Sequence, residues 1–329
     1  MLCDAYNHAV TVYTPESYAF LKENAGLDDK VYTKADVLAD PAAFNDVDFI
    51  FSTWGMPAMT EEEIAAAFPK AQCVFYGAGS VQGFARPFLH QGIKVFSSWG
   101  ANAIPVAEYT LAQILLANTG YFHFSRQTSP EDNKASWPVR KNFPGNFDAT
   151  VGIIGVGMIG KAVIDLLKPF RLHIKAYSPS LTDEKASALG VERSTIEDIF
   201  ATCFVVSNHM ANLPTTQRML VKKHFASMLP YATFLNTGRG AQVNEEDLIE
   251  VLTERPDLMA VLDVTSPEPP VEGSPFYTLP NVVLTPHIAG SLGNEVRRMG
   301  EYMLTEFSHY IKGEPCEYEV SEKMLERMA

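Results

Sequence analysis

The chain has 329 residues, of which 47% are hydrophobic and 20% charged, and a formal net charge of −13. That length is large for one core and predicts two domains, while the acidic balance excludes nucleic acid or an anionic membrane as the main partner. Cys3, Cys73, Cys203 and Cys316 lie far apart, no spacing suits a metal, and no basic segment followed by an apolar one opens the chain. These features predict a soluble, cytoplasmic protein with reduced thiols and no metal.

The first hundred residues alternate strand and helix signals. Residues 47–52 (VDFIFS), 71–76 (AQCVFY) and 93–97 (IKVFS) read as strands. Thr60 followed by Glu63 reads as a capping box opening a helix to about Phe68, and a further helix is expected around 80–90. Such alternation makes a parallel sheet with helices on both faces, whose ligand crevice lies beyond the carboxyl ends of the strands. Trp54 and the turn Gly77-Ala78-Gly79 fall at that rim. The turn is either a plain tight bend or a set of backbone N–H groups open to an anion.

Residues 105–118 predict a long apolar helix with Pro105 near its first turn, joining the two domains. Residues 121–148, rich in aromatics and prolines, read as an irregular loop. Residues 151–154 then give a short apolar strand, and Gly155, Gly157 and Gly160 follow in the spacing G-x-G-x-x-G around Met158 and Ile159. Gly155 permits the tight turn, Gly157 the approach of a pyrophosphate, and Gly160 close helix–strand packing. A glycine-rich turn without a ligand can share this spacing. The strand before it and the helix at 161–167, closed by Pro169, favour a dinucleotide.

Five more strands are expected at 173–178, 203–207, 232–235, 259–264 and 282–285, and an amphipathic helix at 295–311 with no strand after it. The fold class is therefore α/β: two doubly wound parallel-sheet domains of Rossmann or flavodoxin type with a cleft between them. Arg239, Asp263 and His287 stand at or just past the ends of three successive strands, and Glu268 lies in a proline-rich loop. A guanidinium suits bidentate binding of a carboxylate. An imidazole beside a carboxylate suits proton transfer near neutral pH.

These motifs resemble the D-isomer-specific 2-hydroxyacid dehydrogenase family along nearly the whole chain. The matching stretches are VAEYTLA at 106–112, GVGMIG at 155–160, SNHMANLPTTQRM at 207–219, NTGRG at 236–240, LDV at 262–264, Glu268-Pro269 and Thr285-Pro286-His287. The resemblance implies a substrate domain of residues 1–100 plus 292–329, and a dinucleotide-binding domain of 101–291 inserted within it. It implies that Arg239 holds the 2-oxo acid carboxylate, that His287 exchanges the proton with the carbonyl oxygen, and that Glu268 pairs with His287. Asp263 would orient the nicotinamide carboxamide. Trp54, Gly77, Ala78 and Gly79 would contact substrate, and Ser178, His209, Thr237, Gly238, His287 and Gly290 would join the glycine turn around the cofactor. A homodimer built through the cofactor domains is also implied, with the 105–118 helix contributing.

The chain departs from the family pattern at three places. Ser178 stands where an acidic residue commonly bonds the adenosine ribose, Ala211-Asn212 replaces Pro and an apolar residue, and Gln82-Gly83-Phe84 follows the Gly-Ala-Gly turn. NAD(H) is favoured slightly and NADP(H) stays open, since Asp183 and Glu184 oppose a 2′-phosphate and Lys185 stands about two helical turns on. The expected reaction is hydride transfer between a nicotinamide cofactor and a 2-oxo acid/(R)-2-hydroxy acid pair. The alternatives are a non-catalytic NAD(H)-sensing scaffold of the same fold, or a dehydrogenase of another small anion such as formate or phosphite.

Overall fold

A computed structural model of the chain describes residues 1–125 and 129–326. The chain divides into two compact units. Unit 1 comprises Met1–Asn102 and the segment from Ser291 onward; unit 2 is Ala103–Gly290.

Unit 1 is built on a sheet of β1 (Phe49–Ser52), β2 (Cys73–Tyr76) and β3 (Lys94–Ser97), all parallel. Leu2 extends it, its N–H donating to Phe51 O at 3.0 Å, and Leu2 pairs in turn with Tyr32. The strand succession from Tyr32 through Leu2 to β3 is the flavodoxin-like order, with the first segment inside the second. Alternation sorts the side chains to two faces. Ile50, Val74, Tyr76 and Val95 pack on one side. Phe51, Phe75 and Phe96 stack in a row on the other, with ring centroids 5.2 and 4.9 Å apart. The helix Glu295–Lys312 covers that row with Met299, Met303 and Phe307. Thr60 and Glu63 form the expected capping box at the start of helix Glu61–Ala67.

Unit 2 holds a seven-stranded parallel sheet. Its strands are β4 (Thr150–Ile154), β5 (His173–Tyr177), β6 (Glu192–Arg193), β7 (Val205–Asn208), β8 (Thr233–Asn236), β9 (Met259–Leu262) and β10 (Val282–Leu284). Their order is β10-β9-β8-β7-β4-β5-β6. The chain reverses direction across the sheet between β4 and β7, which is where a doubly wound sheet opens its ligand crevice.

Three expectations need correction. A short strand does follow the last long helix: β11 (Glu319–Val320) pairs antiparallel with β3. Two residues carry no periodic signal, yet Val320 is 1% exposed and pairs with Val95. Pro105 is interior to its helix, which runs Trp99–Asn118. The apolar face continues upstream through Ala101 and Ala103, both buried, and that burial carries the helix past the missing proline N–H. The segment read as an irregular loop contains short helices at Tyr121–Phe124, Pro130–Ser136 and Val139–Asn142; residues 126–128 of it lie outside the described residues. Among the described residues no helix is long and apolar enough to cross a membrane, and no group of three or more His, Cys, Asp or Glu could hold a metal.

Candidate active site

The turn after β4 is shaped by backbone collisions. Gly155 has φ +94°, and a Cβ there would come within 2.6 Å of His209 O and Met210 N, just past β7. A Cβ on Gly160 would strike Gly155 O. Gly157, in contrast, faces open space. It is the N-cap of helix Met158–Leu167 and offers no capping side chain, so among the described residues the first-turn N–H groups around Met158, Ile159 and Gly160 are left for an anion. The cradle thus fits a dinucleotide pyrophosphate: closed at two glycines, open at the third.

Ser178 follows β5, its Oγ 3.5 Å from Ser180 Oγ. Lys185 Nζ donates to Ser180 O at 3.2 Å, so the fold brings this cation back to the loop that sequence distance had separated it from. Asp183 is matched by Arg193 at 3.2 Å. Lys175 is engaged elsewhere, 2.7 Å from Asp198.

His209, one residue past β7, is buried with Nε2 2.9 Å from Ser207 Oγ and Nδ1 3.4 Å from Thr237 Oγ1. Burial pulls its pKa down to about 4, so the imidazole is neutral. Thr237 is itself 3.4 Å from Thr110.

Unit 2 brings three of the singled-out residues together at the ends of β9 and β10. His287 Nδ1 lies 2.6 Å from Glu268 Oε1, and both side chains are partly exposed. His287 has φ +54°, a conformation that costs a non-glycine residue about 1–3 kcal/mol. Asp263 holds it there. The buried carboxylate accepts from Thr285 Oγ1 at 2.6 Å, Ile288 N at 2.8 Å and Ala289 N at 2.9 Å, and the His287 N–H donates to Asp263 O at 3.0 Å. Asp263 is therefore already committed to the His287 turn, a duty the sequence did not suggest. Gly290 ends that turn.

Arg239 follows β8 and Thr237-Gly238. Its Nη1 donates to Gly238 O at 2.7 Å, and no second protein acceptor reaches the guanidinium among the described residues. Burial lowers its pKa, opposed by the nearby Glu268 charge. A half-buried guanidinium with spare donors is a site for a small carboxylate.

In unit 1, the N–H groups of Gly77 and Ala78 are spent on Ser52 O and Tyr76 O, each at 2.8 Å. That corrects the expectation that Ala78 offers its N–H to substrate: the strand-end turn uses it, and among the described residues Gly79 N–H is the donor left without a protein partner. Trp54 is half-buried, its ring edge-to-face with His8 at 5.8 Å. It borders a cavity of about 950 Å³ that Thr11, Ser291, Leu292 and Arg297 also line.

Residues 112–289 match the model of the D-isomer specific 2-hydroxyacid dehydrogenase NAD binding domain. The chain belongs to this family. Among curated relatives of the family, D-3-phosphoglycerate dehydrogenase of Mycobacterium bovis is 30% identical over 246 residues, 73% of this chain and 45% of that protein. The D-3-phosphoglycerate dehydrogenase of Methanocaldococcus jannaschii is 31% identical over 232 residues, 69% of this chain and 43% of its own length. The chain thus spans under half the length of these relatives. The holo form of Rhodotorula graminis D-mandelate dehydrogenase shares the fold with a TM-score of 0.79 at 18% identity, over 98% of this chain and 96% of that one.

Sequence reading missed the polar groups that support the family motifs. Asn208, Asn236 and Gln242 are buried and bonded to one another beneath Arg239. The signal was present: VVSN and TFLN are apolar strands that each end in Asn.

Proposed function

We propose that this chain interconverts a 2-oxo acid and its (R)-2-hydroxy acid, with a nicotinamide cofactor on the glycine turn of unit 2. The bound cofactor supplies or accepts the hydride. The observation that carries the reading is the 2.6 Å pairing of His287 Nδ1 with Glu268, which leaves Nε2 without a protein partner among the described residues. Glu268 accepts the hydrogen bond from Nδ1–H and orients the ring. In reduction, Nε2–H of the imidazolium gives its proton to the carbonyl oxygen, and the neutral ring retains Nδ1–H on Glu268. In oxidation, Nε2 takes the hydroxyl proton back. Arg239 binds the substrate carboxylate.

Cofactor discrimination is weak in this reading. Ser178 offers no carboxylate to the ribose hydroxyls, and Lys185 offsets the acidic residues nearby. NAD(H) keeps a slight preference, within roughly one decade in relative efficiency. The protein acts as a homodimer joined through unit 2, with helix Trp99–Asn118 contributing; sedimentation showing only a monomer at micromolar concentration would end that part.

Turnover of NADH and NADPH against a panel of 2-oxo acids tests the activity. Arg239→Lys should raise KM sharply while sparing cofactor affinity, because it keeps the charge and loses the fork. Unchanged kinetics in that variant would put the carboxylate elsewhere, and a wild-type protein inert toward the whole panel would sink the proposal.

A further inference from the structure

Arg239 has to present a half-buried guanidinium from a short turn, and among the described residues its own side chain makes one bond, to the neighbouring Gly238 O. The restraint on the turn comes from below. Asn208, at the end of β7, donates from Nδ2 to Asn236 Oδ1 at 3.0 Å and to Gln242 Oε1 at 2.6 Å. Those two oxygens also receive the turn's backbone: Gly238 N donates to Asn236 Oδ1 at 3.1 Å, and Arg239 N donates to Gln242 Oε1 at 3.3 Å. Asn236 Nδ2 closes the ring on Arg239 O at 3.2 Å. Gln242 Nε2 runs to Met210 O at 2.7 Å, and Met210 N returns to Asn208 Oδ1 at 3.3 Å.

All three amide side chains are at most 1% exposed. A buried amide is costly unless every donor and acceptor is matched, and a matched set fixes one geometry. Space is equally tight: a Cβ on Gly238 would lie 2.9 Å from Gln242 Oε1 and 3.0 Å from Asn208 Nδ2. We propose that Asn208 and Gln242 are positioning residues that hold the Arg239 backbone for carboxylate recognition, through Asn236. The same bonds tie the Arg239 turn to His209-Met210, the backbone against which Gly155 is packed.

This inference rests on the proposed activity, and its test separates the two. The variant is Asn208→Leu with Gln242→Leu, which removes both buried partners together and so avoids stranding one amide against the other. Steady-state kinetics with the best 2-oxo acid and amide hydrogen exchange at 238–239 are read side by side with the melting temperature. The expected result is a rise in KM of roughly ten- to a hundredfold, a smaller change in kcat, and faster exchange of the Gly238 and Arg239 amides. With Arg239→Lys as background, the double change should raise KM little further, because the fork it positions is gone. Gln242→Glu, which keeps the Oε1 acceptor, should recover part of the amide protection.

Wild-type KM, or exchange at 238–239 no faster than in the parent, would overturn the positioning role. So would a variant whose only change is less folded protein with normal kinetics per folded molecule. Wild-type protein inert on every 2-oxo acid would instead sink the proposed activity, and the exchange measurement would still decide whether these amides hold the turn.

Discussion

The glycine turns after β2 and after β4 are built on different constraints. At 155–160 the neighbours of the missing Cβ atoms are backbone: His209 O and Met210 N for Gly155, and the Gly155 carbonyl for Gly160. At 77–79 they are side chains. Gly77 faces Val12 Cγ1 at 2.9 Å and Tyr13 Oη at 3.1 Å, and Gly79 meets nothing nearer than Asn102 Nδ2 at 3.7 Å. Backbone cannot yield by rotamer change, whereas side chains can. The first turn therefore leaves a fixed glycine spacing, which its flanking strand and helix make recognisable. The second has latitude and leaves a weaker mark in the sequence.

The largest expected effect places the chemistry in unit 2. His287→Asn should leave cofactor binding intact and lower turnover by roughly 10²- to 10⁴-fold; near-wild-type reduction of a 2-oxo acid would remove His287 from the mechanism. The contrast between the turns is sharpened next by Gly160→Ala, which must displace backbone. It should cost about 1–3 kcal/mol in a denaturant melt and weaken cofactor binding in a titration. A variant of parental stability and affinity would break the comparison. Gly79→Ala should leave the melt unchanged and alter only KM for the 2-oxo acid. Smallest is Lys185→Ala, expected to lower kcat/KM for NADPH by severalfold, about 1 kcal/mol for an exposed charge, with NADH unaffected. Equal losses with both cofactors would show that Lys185 does not face the 2′ position.

What the sequence made legible follows the same division. The strand, glycine turn and helix at 150–167 were readable because each level of signal agreed. So were the alternating strands of both units, since apolar runs between turns need no tertiary knowledge. Arg239, Glu268 and His287 could be named from motif context, and the fold brings His287 and Glu268 into contact. Other features depended on distant partners. Lys185 is separated from Ser180 by a cap and a helical turn, and only the fold returns its ammonium to the loop. Asp263 reads as one strand-end acid, but three donors from residues 285–289 converge on it. Val320 becomes a strand residue only because Val95 lies beside it. Pro105 shows the opposite case, a strong local signal overruled by burial on both sides of it.

The neutral, enclosed His209 links the fold to the proton concentration around it. In the unfolded chain this imidazole titrates near 6.5; in the fold, burial holds it to about 4. Its contribution is complete above the higher value and is lost as pH falls toward and through the lower one, because the unfolded chain binds a proton that the fold refuses. Within that window each pH unit costs up to about 1.4 kcal/mol. Melting temperature followed from pH 7 to pH 4 should fall more steeply for the parent than for His209→Gln; parallel curves would mean that the acid sensitivity of the fold resides elsewhere.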